Sequence, residues 1–259
     1  GNLVVTYTDG SQDKKPLSEF VNVAPTVELP YSNQANKQIY VYTGENTDLT
    51  FKGSDENEVK DLYLRGPGDT TWNNAARYGL PTGKVENGAV VGEGSVSDDK
   101  RTATIKMTGV TNLPAGQKWT SFVVANDNNN AASTTDFRAL DKNPNATQTP
   151  GYVQFIVKSQ TDKYDIATPA PADKVEVADP TNVTNDELKE IKKKLQLEYK
   201  KDNDDANIAK DTPVDKDGKI QSVTKEGNNL VVTYKDGSKD TKPLSEFVTK
   251  DTTAPAKPE

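Results

Sequence analysis

Two aspartates stand where a strand-like run gives way to a polar cluster: Asp55 in Gly53-Ser-Asp-Glu-Asn-Glu-Val59 and Asp127 in Val124-Ala-Asn-Asp-Asn-Asn-Asn130. In a β-sandwich, acidic loops at one pole can converge on Ca²⁺, which takes about six to eight oxygen ligands and no nitrogen or sulfur. The same residues also suit Asx turns, where a carboxylate accepts nearby backbone N–H groups. Asp202–Asn207 and Asp215–Gly218 look like fragments of an EF-hand loop but lack the glutamate that closes one. The expectation is a chain without a cofactor, Ca²⁺ being the one candidate. Glu56/Glu58 and Asp98/Asp99 have the residue types of a glycosidase acid and base. Neighbouring acids in polar loops are ordinarily solvated, and no catalytic residue is assigned to them.

Aromatic side chains offer a second chemistry. Tyr63, Trp72, Tyr78 and Trp119 could form a platform for a sugar ring. Trp119 opens a strand-like run and reads as core, whereas Trp72 and Tyr78 lie in a long Gly/Asn-rich insertion between Gly66 and Asp99. Loops of that length in a compact domain are usually functional or disordered, so these two are the binding candidates. Lys192-Lys193-Lys194 could dock an acidic partner, or a lysine-binding module of a host protease precursor; it also reads as a solvated helix face. A Lys–Asn isopeptide cross-link would need a buried Lys, Asn and acid, which sequence alone does not place.

The chain has 259 residues, no cysteine and no histidine. Thiolate nucleophiles, disulfides, Cys/His zinc sites and Ser-His-Asp triads are therefore excluded. The expectation is a protein that is not an enzyme. The net charge of −7 argues against nucleic acid and anionic lipid. There is no apolar run near 18 residues and no signal peptide, so the segment reads as soluble, with no membrane insertion. Hydrophobic residues are only 32%, so cores must be small, and the length favours two domains.

The elements that position these residues begin with a repeat. Asn2–Val21 reads NLVVTYTDGSQDKKPLSEFV and Asn229–Val248 reads NLVVTYKDGSKDTKPLSEFV; 17 of 20 positions match at an offset of 227 residues. The pairs that differ are Thr8/Lys235, Gln12/Lys239 and Lys14/Thr241. Each copy is a β-branched and aromatic strand, an Asp-Gly turn and a second run, which predicts a hairpin. The chain thus reads as about one period of a tandem array, with residues 1–21 the C-terminal hairpin of a preceding repeat. A lone hairpin is marginal in water, so the first copy should be held less firmly than the second.

From 24 to 165 strand-like runs alternate with turn clusters: Gln38–Tyr42, Thr47–Lys52, Val59–Arg65, Thr102–Met107, Trp119–Ala125 and Tyr152–Lys158. That spacing predicts an immunoglobulin-like or cadherin-like sandwich with a solvated outer surface. Residues 166–182 hold Pro169, Pro171 and Pro180 and read as a stiff, Pro-rich linker. From 183 to 248 the pattern changes to a small α+β module. Thr184-x-x-Glu187 is a capping box, and Leu188, Ile191, Leu195 and Tyr199 at helical spacing predict a helix to about Lys201. One helix should lie over a short antiparallel sheet, and 249–259 reads as the next linker tail. The fold class expected is mainly β.

Val232-Thr-Tyr-Lys-Asp-Gly-Ser238 after a capped helix, with Gly151-Tyr-Val-Gln-Phe-Ile-Val-Lys-Ser-Gln-Thr-Asp-Lys-Tyr-Asp165 closing the sandwich, resembles the repeats of Gram-positive wall-anchored adhesins. The layout over 24–248 is most similar to the streptococcal surface repeat (SSURE) of fibronectin- and plasminogen-binding proteins, with giant extracellular-matrix-binding proteins as a looser relative. Val124-Ala-Asn-Asp127 resembles the Ala-x-Asp strand end of bacterial Ig-like domains, with Asn128-Asn-Asn130 in place of Ala-Gly-Asn. The resemblance implies a virulence-associated, secreted and cell-wall-anchored stalk, monomeric within its array. Its modules would bind a host matrix glycoprotein, fibronectin first and plasminogen second, and it carries over no contact residues. Glycan binding through the 66–99 aromatics, or a pure spacer role, are the alternatives.

Overall fold

The computed structural model describes residues 1–65, 84–86, 89–91, 94–138 and 140–253. In chain order these hold strands β1 (Asn2–Thr6), β2 (Gln12–Pro16), β3 (Thr26–Glu28), β4 (Gln38–Tyr42), β5 (Asn46–Ser54), β6 (Val59–Arg65), β7 (Lys84–Glu86), β8 (Ala89–Val91), β9 (Ser95–Val96) and β10 (Thr102–Val110). They continue with β11 (Lys118–Asp127), β12 (Tyr152–Lys158), β13 (Tyr164–Ile166), β14 (Val175–Val177), helix α1 (Asn185–Lys194), β15 (Leu197–Tyr199), β16 (Pro213–Val214), β17 (Ile220–Glu226), β18 (Asn229–Tyr234), β19 (Lys239–Pro243) and β20 (Val248–Lys250). Two compact units divide the chain. One takes Gly1–Val41, Glu45–Asn112 and Lys118–Ile156; the other takes Tyr42–Gly44, Leu113–Gln117 and Val157–Glu259.

The first unit is an Ig-like β-sandwich. One sheet has the order β3-β5-β10-β8-β7, with β9 also on β10, and the other has the order β4-β12-β11-β6. β5 and β10 pair antiparallel over their full lengths, from Asn46↔Val110 to Ser54↔Thr102. Ile39, Phe51, Leu62, Leu64, Ile105, Met107, Val153 and Phe155 are fully buried, as their alternation with polar neighbours requires. Phe51 meets Phe155 edge-on, with centroids 6.4 Å apart.

The expected solvated outer surface is not what β11 shows. Phe122 stands opposite Tyr152 in the β11–β12 register, whereas Val153 stands opposite Ser121, so Phe122 and Val124 leave the inter-sheet face. They join Tyr63, Tyr152 and Ala146 in a second buried cluster, against which Ala132 and Phe137 pack. The segment after β11 folds back over this face, so β11 is buried on both sides from Ser121 to Ala125. A polar stretch that supplies only Ala132, Phe137 and Ala146 gives little sign in sequence that it is a cover.

The second unit is the α+β module, and it uses three small sheets: β17-β18-β19, β13-β15-β16 and a β14-β20 pair. β14 and β20 run parallel. Residues 166–182, read above as an extended linker, hold a 3-10 turn at Pro171–Asp173 and then β14. Val175 and Val177 turn inward on either side of the exposed Glu176, the period-2 pattern of a half-buried strand. Helix α1 starts as expected: the Thr184 hydroxyl accepts from Glu187 N–H and the Glu187 carboxylate accepts from Thr184 N–H. It ends earlier than expected, at Lys194, and Tyr199 belongs to β15. The backbone turns extended at Leu195, with φ −55 and ψ 131, and a distant residue takes up the carbonyls left free. The Lys216 ammonium donates to the carbonyls of Lys192 (3.2 Å), Lys193 (2.9 Å) and Leu195 (2.9 Å), so a cation neutralises the exposed end of the helix dipole.

The core of this unit gathers Ile166, Val177, Ile191, Leu197, Leu230, Val232 and Tyr234. Tyr234 is fully buried and donates its hydroxyl to Asp240 (2.7 Å). Burial pushes both the Tyr234 phenol and the Asp240 carboxyl above their ordinary values, the hydrogen bond from Tyr234 opposing the shift at Asp240.

Two predictions follow from these contacts. Lys216→Met removes the helix cap and should lower the stability of the α+β unit by about 1–2 kcal/mol in denaturant unfolding; an unchanged midpoint would show the cap to be idle. Because the folded carboxyl of Asp240 is raised, its contribution is full below the unfolded value near 3.8 and is lost as pH rises through the folded value. Asp240→Asn stays neutral throughout. The Tm of the variant minus that of the parent should therefore be more positive at pH 7 than at pH 4, and a pH-independent difference contradicts the buried-carboxyl account.

Candidate functional site

The residues singled out by type are placed as follows. Asp55 Oδ1 accepts from Asn57 N–H (2.7 Å) and Glu58 N–H (3.1 Å), closing the β5–β6 turn. Asp127 is buried, and its Oδ1 accepts from Asn129 N–H (2.9 Å) and Ala131 N–H (2.7 Å) while Oδ2 accepts from the Asn22 amide. Both are therefore Asx turns. No group of three or more acidic side chains that could hold a metal ion forms among the described residues. The EF-hand-like stretch 202–207 is likewise occupied: Asp205 is buried, accepting from the Tyr42 hydroxyl (3.0 Å) and Asn207 N–H (3.0 Å).

The carboxylate pairs lie at the surface. Glu56 is exposed and Glu58 faces Lys100 at 3.3 Å. Hydrogen bonds from Ser97 and from Arg101 N–H hold Asp99 below the usual carboxylate range, the opposite of what a general acid needs. On α1, Lys193 pairs with Glu190 (2.6 Å) and the Lys192 side chain is exposed.

Of the four aromatics, Trp72 and Tyr78 lie outside the described residues. Trp119 stacks on Phe155 with centroids 4.7 Å apart and planes 7° from parallel, and Tyr63 is buried in the second cluster. Those two are packing residues on different faces of the sheet and form no common platform.

The described part of the sandwich has a feature that no residue type announced: a groove of about 490 Å³ alongside β3. Its lining includes Glu28, Tyr31, Gln34, Lys37, Gln148 and Pro150. β3 is the end strand of its sheet and pairs only with β5 among the described strands, Thr26↔Ser54 to Glu28↔Lys52. Tyr31 is fixed by donating its hydroxyl to the Tyr152 carbonyl (2.5 Å), and burial pushes its phenol upward. The Lys37 ammonium sits 5.0 Å from the centre of the Tyr31 ring. Lys37 has φ 54, which a tight turn before β4 imposes. In sequence, Pro30-Tyr-Ser-Asn-Gln-Ala-Asn-Lys37 reads only as a polar turn; an aromatic flanked by amides just before a strand was the available sign.

The far wall of the groove depends on Gly151. It has φ +78, and a Cβ there would stand 1.9 Å from the Val123 carbonyl oxygen, while Val123 N–H donates to the Gly151 carbonyl at 2.8 Å. Gly151→Ala should destabilise the sandwich by about 3 kcal/mol or more, since backbone rather than a side chain must give way. A loss under about 1 kcal/mol in thermal or denaturant unfolding would mean that the β11–β12 pairing is far softer than its geometry implies.

No family model matches the chain, and no curated protein matches it. Among solved structures it is similar to the GspB Siglec domain, at 14% identity over 90% of this chain and 99% of that chain, with a TM-score of 0.41. It is also similar to the polymeric Ig receptor ectodomain of a teleost fish, at 12% identity over 53% of this chain and 50% of that one, with a TM-score of 0.28.

Proposed function

We propose that this chain is an adhesion module of a wall-anchored bacterial surface protein: an extracellular, non-catalytic segment that holds a host matrix glycoprotein, fibronectin first and plasminogen second. The observation that carries this reading is the groove beside an end strand of the sandwich. A strand with one unpaired side offers backbone N–H and C=O groups to an extended peptide, and pockets beside it select side chains. The amide groups of Gln34 and Gln148, the Tyr31 ring and the charges of Glu28 and Lys37 give a mixed lining suited to such a peptide. The lack of cysteine and histidine, and a repeat spaced 227 residues apart, fit a protein that gains strength from many weak copies. No helix among the described residues is long and apolar enough to cross a membrane.

The test is surface plasmon resonance of the whole chain on immobilised fibronectin. The double variant Gln34→Ala/Gln148→Ala should weaken binding about tenfold or more with an unchanged Tm, since two modest truncations of about 0.7 kcal/mol each suffice. Full binding by the double variant would remove the groove from the account. Silence on fibronectin and plasminogen together with a glycan-array signal lost on Trp72→Ala would replace matrix-protein binding with sugar binding.

A further inference from the structure

Residues 2–21 and 229–248 fold into the same hairpin, and the main difference between them is what covers them. β1 and β2 pair from Asn2↔Pro16 to Thr6↔Gln12, as β18 and β19 pair from Asn229↔Pro243 to Thr233↔Lys239. Gly10 and Gly237 both have φ +85 in the turn. Tyr7 donates to Asp13 at 2.7 Å, as Tyr234 does to Asp240. Leu17 N–H reaches the Gly1 carbonyl at 3.0 Å, as Leu244 N–H reaches that of Asn228 at 2.9 Å.

Burial separates them. Leu230, Val232 and Tyr234 are 0% exposed, whereas Leu3, Val5 and Tyr7 are 40%, 45% and 49% exposed. Seven of the eleven exposed large apolar side chains among the described residues fall within residues 1–21, so this surface is an unpartnered face and not scattered exposure. In the covered copy, the contacts come from the helix and strands that precede it: Ile166, Val177, Ile191 and Leu197 pack on it. Lys242 donates to the Ile166 carbonyl and pairs with Asp165 at 3.3 Å. Asp236 Oδ2 accepts from Gln160 N–H at 2.7 Å. Lys15, the counterpart of Lys242, turns instead to Glu19 at 3.3 Å. The three positions at which the copies differ, Lys235, Lys239 and Thr241, are all exposed in the covered copy. The apolar core residues and Asp236 and Lys242, which seat the second hairpin, are therefore all present in the first as Leu3, Val5, Tyr7, Asp9 and Lys15; Lys239, whose exposed ammonium lies 4.0 Å from Glu226, is Gln12 there.

We infer that the hairpin of residues 1–21 is a docking surface whose occupant is a second copy of the helix-and-strand framework of residues 157–227. Seated there, Leu3, Val5 and Tyr7 become core residues and Lys15 exchanges Glu19 for a carbonyl of the framework. The surface is thus the part of an α+β core that such a framework completes, independent of whichever ligand the sandwich binds. The chain's own framework is already closed by 229–248. That hairpin is intramolecular and outcompetes a free copy at ordinary concentrations.

Two measurements test this. First, Lys235→Thr, Lys239→Gln and Thr241→Lys together give the second hairpin the sequence of the first from Asn229 to Val248; the α+β unit should keep its Tm within about 3 °C, in keeping with exposed substitutions. A fall of 10 °C or more would show that the first sequence cannot close such a framework and would overturn the inference. Second, residues 157–227 fused ahead of Gly1 of the whole chain should slow amide exchange at Leu3–Tyr7 at least about a hundredfold. Val5→Asp in the fused chain should abolish that slowing, and Val5→Ile should keep it. Unchanged exchange at Leu3–Tyr7 in the fused chain, or protection that survives Val5→Asp, would overturn it.

Discussion

An apolar strand has two faces, and two strands alone can cover neither. That constraint governs the whole α+β unit. Leu230, Val231, Val232 and Tyr234 occupy consecutive or near-consecutive positions of β18, so both faces of the strand need partners. The unit supplies them with a ten-residue helix, short strands from three sheets and a hydrogen bond from buried Tyr234 to half-buried Asp240. Burial of such side chains contributes roughly 1.5–3 kcal/mol each relative to exposure. A module this small stands on a handful of them. The copy at 2–21 has the local hydrogen bonds without this cover, which isolates the contribution of packing from that of sequence.

The sandwich meets the same requirement in another way. Its two sheets cover each other's inner faces, and the segment after β11 covers a further face through Phe122, Tyr152 and Phe137. Tight turns then fix the loops: Asp55, Asp127 and Asp99 each spend their carboxylates on nearby backbone N–H groups. Those acids are structural in the described part of the chain. One open, mixed surface among the described residues is the groove beside β3, where the sheet ends.

Much of the fold was legible. Period-2 alternation located the long strands, the Thr184–Glu187 box located the start of the helix, and the duplicated stretch located the hairpins. The misreadings have a common cause, which is dependence on distant residues. Leu195 and Tyr199 keep helical spacing, yet the backbone turns extended at Leu195, Lys216 takes up the freed carbonyls, and Tyr199 enters a strand. Prolines at 169, 171 and 180 suggested a linker, yet Val175 and Val177 find β20. The outer surface was expected to be solvated because nothing local marks Ala132, Phe137 and Ala146 as cover for Phe122 and Val124. The candidate aromatics Trp72 and Tyr78 stand outside the described residues, and the groove was invisible because Gln148 is far in sequence from Tyr31 and Gln34 and each is ordinary by itself.

The central claim is that cover, and not local sequence, decides whether this hairpin is firmly folded. Native-state amide hydrogen exchange of the unmodified chain tests it directly, because the two copies serve as each other's control. Amides of Leu230–Tyr234 should exchange at least about a thousandfold more slowly than those of Leu3–Tyr7 under identical conditions. Equal protection in the two strands would contradict the account.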